Sequence, residues 1–367
     1  MKILVSGGYG NFGARICRAL AAPGIELVVA GRHGAQAEAL AAELGHGAQG
    51  VALDVTTDIG AKLRALAVDL VIHAAGPFQD QAYAVAQAAA EAGAHYIDLA
   101  DGRRFVCDFP AAMDGTFRSA GKTAISGASV VPALSSAVVA HLCQGWQRID
   151  VIEQCLAPAQ SVRIGPATVA GILSYCGAPI TVWDQGRWQQ RQGWSEHRLV
   201  QFARLRPRHG ALCDVPDLEL FPSHFAVTQR VMFRAALELR LAQWGFTALA
   251  WARSVGLIGN VEAFARPLVA VSPLLNWLGT QLGGMVISVD GADGSGQPIR
   301  RAWHVAADHN HGPEIPPMPA ILLARHLARG DSLPVGAHNA IGLLPLSEFD
   351  SEFAKWGMVT DTIDEPA

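Results

Sequence analysis

The sequence predicts an α/β chain: a doubly wound parallel sheet in the first third, then an α+β domain with a mainly antiparallel sheet. Three observations carry this. Short, continuously apolar runs alternate with alanine-rich stretches of helix length over the first 130 residues, the pattern of a parallel sheet covered on both faces. A cluster of glycines opens the first helical stretch directly after the first run. Beyond residue 150 hairpins take over, the clearest built from 285–289, a glycine-rich turn at 290–296, and 299–306.

Each element has its own justification. Strands are expected at 2–6, 26–30, 51–55, 69–74, 94–99 and 123–126, all rich in Val, Ile, Leu and Ala. Phe12, Ile16 and Leu20 stand at helical spacing and place a helix over 14–22, and a second covers 35–44. In the second half, 150–157 reads as a strand and 168–176 as a helix that Thr168 would cap. Residues 180–190 suggest a hairpin around Asp184-Gln185-Gly186, and 231–240 mixes strand and helix signals. A last helix spans 319–329, with Pro319 near its start and Gly330 just past its end. The expected organisation is a nucleotide-binding domain at 1–130, an α+β domain for substrate and dimerisation at 131–315, and a tail at 316–350 that packs back on the first domain.

Composition removes several function classes. At about 150 residues per domain, 367 residues suggest two domains. Half the residues are apolar, enough for a sizeable core. A net charge of −4 offers no footprint for nucleic acid. Only four of the 28 basic residues are lysines: Lys2, Lys62, Lys122 and Lys355. Six scattered cysteines show no metal-like spacing, and the apolar run before Gly7 is too short for a signal peptide core. A reducing, cytoplasmic location is the expectation. The 23 uncharged residues 267–289 are long enough to span a bilayer. Pro273, Asn276, Gln281 and Gly283-Gly284 interrupt them, so a buried helix running into a strand is expected there. Contact with a membrane is the alternative.

Gly8-Tyr9-Gly10-Asn11-Phe12-Gly13 carries the first chemistry. Three glycines at G-x-G-x-x-G spacing, between a strand and a helix, suit a dinucleotide pyrophosphate. Gly8 is expected to make the tight turn, Gly10 to admit the phosphates, and Gly13 to let the helix press on the strand. The helix N-terminus supplies N–H donors and a positive dipole end. At the close of the second strand stands Arg32 rather than an acid. An arginine there suits a 2′-phosphate, so the expected cofactor is NADP. Asp54, after the third strand, sits either near the adenine or at the start of the next helix. Ala75, Gly76 and Pro77 leave the fourth strand as small residues that let the chain pass beneath the nicotinamide ribose.

Polar residues at the carboxyl ends of parallel strands face the ligand crevice. Tyr96, Asp98 and Asp101 are therefore candidates for proton handling, and His311 joins them from the Asp308-His309-Asn310-His311 segment. His309 and His311 lack a third ligand at defined spacing, so no metal site is expected.

The ordered series Gly8–Gly13, Ala30-Gly31-Arg32, Ala74-Ala75-Gly76-Pro77-Phe78 and Tyr96-Ile97-Asp98-Leu99 resembles the NADP-binding domain of the saccharopine dehydrogenase-like family. Ser126-Gly127-Ala128-Ser129-Val130-Val131-Pro132 is similar to the family's glycine-and-proline loop. His311-Gly312-Pro313-Glu314-Ile315-Pro316, with Pro319-Ala320-Ile321, is similar to the closing segment of bacterial members. The resemblance is specific over the first 135 residues. It implies a Rossmann domain, a second α/β domain, and NADPH-dependent reduction of a C=N, C=O or activated C=C bond. Arg103 stands where many relatives carry an acid, which removes the basis for a substrate-ammonium site.

None of the four tyrosines has a lysine four residues on, which disfavours short-chain dehydrogenase chemistry. Two functions stay open. One is a soluble homodimeric NADPH-dependent reductase of a small molecule, with Asp98, Tyr96 or His311 as proton donor. The other is a non-catalytic NADPH-binding sensor or membrane-associated partner protein.

Overall fold

The computed structural model describes residues 1–57, 59–79, 81–162 and 165–365. The chain divides into two compact units, Met1–Leu134 with Pro313–Leu344, and Ser135–Gly312 with Pro345–Ala367. Strand and helix alternate through the first: β1 (Lys2–Ser6), α1 (Asn11–Leu20), β2 (Glu26–Gly31), α2 (Gly34–Leu44), β3 (Gln49–Ala52), α3 (Ile59–Leu66), β4 (Leu70–His73), α4 (Ala84–Glu91), β5 (His95–Asp98), α5 (Arg103–Ala120) and β6 (Thr123–Ser126). The strands lie parallel in the order β3-β2-β1-β4-β5-β6, with a seventh, Gly336–Asn339, beyond β6. The strand order reverses beside β1, so a crevice opens at the carboxyl ends of β1 and β4.

One face of this sheet explains its alanine-rich helices. Leu4, Val28, Val71, Tyr96 and Ala124 project from the strands onto Leu63, Val85, Phe109, Met113 and Phe117. Alanines at 86, 88, 89 and 90 let α4 approach closely. β3 begins and ends two to three residues earlier than expected. Gly50 admits α2 directly onto the strand, where a Cβ would lie 2.2 Å from the Glu38 backbone nitrogen. Asp54 then turns the chain, its Oδ1 accepting from the Thr56 N–H (3.0 Å) and hydroxyl (2.8 Å).

The tail supplies what periodicity did not reveal. Met318–Arg329 is a helix closed by left-handed Gly330 (φ 84°). Arg325 donates to the Ala19 carbonyl at 3.2 Å, which fastens this helix to α1. Gly336–Asn339 has no β-branched residue, yet it pairs with β6 from Gly336↔Thr123 to Asn339↔Ser126. The Asp114 carboxylate receives the Ala337 N–H at 3.1 Å and anchors the strand edge. The expected tail domain of 316–350 is thus divided: residues from Pro345 on belong to the second unit.

The second unit is built on a nine-stranded, mainly antiparallel sheet. Arg148–Ala157 lies between Arg230–Ala235, its parallel neighbour, and Gly283–Ala292, which turns back through Pro298–Ala307. The ambiguous 231–240 segment resolves into the strand Arg230–Ala235 and, further on, the helix Arg240–Ser254. In the hairpin Pro179–Asp184/Arg187–Gln192 the two turn residues, Gln185 and Gly186, both have positive φ, 55° and 69°. This is the backbone that a two-residue hairpin loop needs.

Asp217 is fully buried in this unit, where burial pushes its carboxyl up to about 7 against the lowering by Ser135 and Gln154. Gln154 donates to Oδ2 at 2.8 Å, and Oδ1 has no hydrogen-bond partner. A carboxyl raised above its unfolded value binds protons preferentially in the folded state, so stability is lost as pH rises from the unfolded to the folded value. Asp217→Asn should therefore stabilise the unit by about 2 kcal/mol at pH 8 and by less at pH 5, measured by urea unfolding at both pH values. A variant that is equally destabilised at both would contradict this.

Candidate active site

Register places four polar residues in one row at the carboxyl ends of adjacent strands. Ser6 of β1 lies opposite His73 of β4, and His73 opposite Asp98 of β5. Ser126, which ends β6, reaches Asp98 Oδ1 at 3.1 Å. All four are buried. Aligned residues of neighbouring parallel strands share a face, so each must find its hydrogen bonds within the row or in the loops above it.

The glycine loop follows β1. Gly7 has φ 71°, so the left-handed turn falls here, one residue before the glycine expected to make it. Gly8 is required for a different reason: a Cβ there would lie 2.8 Å from both Val29 Cγ1 and the Val5 carbonyl oxygen. At Gly13 a Cβ would come within 2.1 Å of the Gly7 carbonyl oxygen, so only glycine lets α1 rest on the turn. α1 starts behind Gly10 with no side-chain cap and no acid in its first turn. Its N–H groups and dipole are thus left for an anion. Asn11 is held by Arg15, whose Nη1 donates to the Asn11 carbonyl and side-chain oxygens at 2.6 Å. Phe12 is half-buried in the same first turn.

Tyr9 turns away from the loop and lies across Gly31, where a Cβ would meet its ring at 2.3 Å. Its hydroxyl accepts the His33 N–H at 2.9 Å, which ties the glycine loop to the end of β2. Arg32, next to that brace, is exposed and forms no ion pair among the described residues. No acid stands there. Asp54 is engaged in its turn with Thr56, the arrangement of a helix-start signal.

His73 organises the opposite side of the crevice. Its Nδ1 lies 2.7 Å from Ser6 Oγ and its Nε2 3.0 Å from Gln81 Oε1. Gln81 Nε2 donates to the carbonyls of Ala75 (2.8 Å) and Pro77 (2.6 Å). The amide oxygen therefore faces His73, which fixes the proton on Nε2 and makes Nδ1 the acceptor from Ser6. Burial pushes the imidazole down to about 4, so it is neutral at physiological pH. The chain Ser6–His73–Gln81 holds the loop Ala75-Gly76-Pro77, whose Gly76 and Pro77 are exposed. Sequence reading missed His73 and Gln81 as site residues. A histidine ending an apolar strand that runs into a glycine-proline turn was the available signal.

Asp98 does the same for the next loop. Oδ1 accepts the N–H groups of Ala100 (2.9 Å) and Gly127 (2.8 Å) besides Ser126, and the Asp98 carbonyl accepts the Ala128 N–H at 2.8 Å. Oδ2 is buried without a hydrogen-bond partner. Burial outweighs these donors and pushes the carboxyl up to about 6. Tyr96, two residues back, is in the core, its ring stacked on Phe109 at 5.7 Å. Burial, then the Asp98 charge, raise its hydroxyl well above the usual range. Its hydroxyl is hydrogen-bonded to the Asp98 carboxylate, so the phenol meets the row of strand-end polar residues from below.

His311 belongs to the second unit. Its Nδ1 lies 2.8 Å from the Trp356 carbonyl, an acceptor only, so Nδ1 carries the proton and Nε2 the lone pair. His309 and Asn310 before it adopt positive φ, 53° and 61°. Among the described residues no group of three His, Cys, Asp or Glu side chains is placed to hold a metal ion.

The comparisons with known proteins agree with this geometry. The family model described as Saccharopine dehydrogenase NADP binding domain matches residues 3–125. This first domain is saccharopine dehydrogenase-like. The match covers a third of the chain and supports NADP(H) as the cofactor of this domain. The cofactor fits what is built here: a glycine cradle that no Cβ could enter, an uncapped helix start, and a bare Arg32 where NAD-specific sites carry an acid. Apo saccharopine dehydrogenase (L-Glu forming) from Saccharomyces cerevisiae shares the fold over 100% of both chains, with a TM-score of 0.69 at 13% identity. Two further solved structures match only 34% of this chain. They are 3-hydroxyacyl-CoA dehydrogenase type-2 from Mycobacterium avium (19% identity, 71% of that chain, TM-score 0.29) and sorbitol-6-phosphate 2-dehydrogenase from Erwinia amylovora (18% identity, 69% of that chain, TM-score 0.28). No curated protein sequence matches the chain.

Gln81→Ala would leave the His73 N–H buried without an acceptor and release both loop carbonyls. NADPH affinity should fall about tenfold in a fluorescence titration, and the unfolding midpoint should fall as well, the cost of a buried donor left unpaired. Unaltered affinity would mean that the loop is held by other contacts.

Proposed function

We propose that the chain is a reductase that passes a hydride from NADPH to a C=N, C=O or activated C=C bond of a small molecule in a reducing cytoplasm. The observation that supports this most is the row Ser6–His73–Asp98–Ser126. It braces the Ala75-Gly76-Pro77 loop after β4 and the Gly127–Pro132 loop after β6, both on the β4 side of the strand-order reversal. A binding module has little need for that rigidity on the side away from the phosphates, whereas a hydride acceptor must be held at a fixed distance and angle. When bound, NADPH supplies the hydride. Gly8, Gly10, Gly13 and the start of α1 take its pyrophosphate, Arg32 takes its 2′-phosphate, and the neutral His73 holds the loop at its ribose.

Asp98 is a positioning residue in this reading. Its carboxylate accepts four donors, from Gly127, Ala100, Ser126 and Tyr96, and ionisation strengthens each bond. Above about pH 6 the charged form clamps the loop, and protonation loosens it as pH falls.

Two measurements decide. Arg32→Asp should weaken NADPH binding roughly 10- to 100-fold, the worth of a charge-assisted contact to phosphate, and leave NADH binding unchanged or improved. Equal losses for both nucleotides would sink the 2′-phosphate role. Against a panel of imines, ketones and enoyl compounds, the wild type should oxidise NADPH with a rate that rises as pH increases through about 6. In Asp98→Asn that inflection should vanish and kcat fall by about tenfold. Tight NADPH binding with no turnover on any of these compounds would favour a sensor instead.

A further inference from the structure

Of the uncharged segment 267–289, expected as a buried helix running into a strand, Gly283–Val289 is the buried strand, but the helical part before it is not buried. Among the described residues, ten of the fifteen exposed large apolar side chains lie within 241–278, a tenth of the chain. On the helix Arg240–Ser254 the exposed positions Leu241, Trp244, Trp251 and Val255 just beyond it fall at spacings of three, seven and four, a single stripe at 100° per residue. The opposite side is fixed to the unit. Gln243 and Ala250 are buried, and Arg253 Nη1 donates to the carbonyls of Leu173, Ser174 and Cys176 at 2.7–3.2 Å. The stripe is therefore held outward. The following turn, Ser272–Leu278, presents Leu274 (69% exposed) and Trp277 (80% exposed).

We propose that residues 240–278 form a docking surface for an anionic lipid bilayer, on which the protein lies peripherally. Three features select lipid over a protein partner. No helix among the described residues is long and apolar enough to cross a membrane, so this surface rests on the interface and does not span it. Of the charges between 239 and 282, Arg253 is turned to the unit, and the exposed ones are Arg240, Arg266 and Glu262, a local excess of one positive charge in a chain whose net charge is −4. That sign attracts anionic headgroups. The apolar residues extend over successive short segments rich in Trp and Leu and offer few polar groups to a partner's hydrogen bonds. Tryptophan with arginine at the edges is the composition of an interfacial anchor.

The test is co-sedimentation of the full chain with liposomes of phosphatidylcholine mixed with phosphatidylglycerol, and with phosphatidylcholine alone. The wild type should partition onto the mixed vesicles and less onto the neutral ones. Trp251→Gln/Leu274→Gln/Trp277→Gln should reduce partitioning by about tenfold or more, since each side chain loses its apolar transfer. Arg240→Gln/Arg266→Gln should lose the preference for the anionic vesicles. A cooperative thermal unfolding transition followed by near-UV circular dichroism, which reads the tryptophans of this unit, reports that the variants fold. Independently of any variant, brominated phosphatidylcholine in the mixed vesicles should quench the tryptophan fluorescence of the wild type. Absence of sedimentation with both vesicles, or absence of quenching, overturns the proposal. A light-scattering mass of twice the chain that the triple variant halves, without lipid binding, assigns the surface to a second copy and overturns it as well.

Discussion

The first unit depends on a constraint set by its register. Parallel strands that end together bring their last side chains into a buried row, and buried polar groups must be paired. Ser6, His73, Asp98 and Ser126 meet that requirement by bonding to each other and then to the loops that leave the strands. The loops around the crevice are therefore fixed from below by the sheet. A neutral histidine and a carboxylate raised toward neutrality both follow from desolvation in that row.

The nucleotide side works by subtraction. Gly8 and Gly13 are needed because backbone or side-chain atoms already occupy the positions where a Cβ would stand. α1 carries no side-chain cap of its own, and Arg32 is exposed and makes no ion pair among the described residues, its charge felt by Asp54 only at longer range. What is missing there (side chains, a cap, an acid) is what a phosphate-rich ligand supplies or requires. Tyr9 is the exception. It spends its ring on Gly31 and its hydroxyl on His33, so the loop and the end of β2 move as one piece.

The second unit shows where apolar composition misleads. A run without charges is as compatible with exposure as with burial, because the folded surface of any protein is largely apolar. Whether 267–282 is covered depends on what packs on it. Arg253 fixes the neighbouring helix by its other side, and the apolar stripe is left outward. The turn before it breaks the uncharged run into pieces too short to form a single buried helix.

By itself the sequence determined the alternation of strands and helices in the first unit, the glycine turn ahead of α1, the arginine rather than an acid at the end of β2, and the main hairpins of the second. All of these are local: they depend on side-chain period, on backbone freedom at a turn, or on one residue at a strand end. Only the tertiary structure decided the rest. Gly336–Asn339 has no strand signal of its own and becomes one because β6 offers an unpaired edge. His73 and Gln81 acquire a role because register sets Ser6 beside them and the loop folds back over both. Tyr96 is enclosed in the core because its ring meets Phe109, while its hydroxyl stays bonded to Asp98. Such roles depend on partners 8 to 210 residues apart in the chain, and pairing at that distance leaves no period in a sequence for reading to detect.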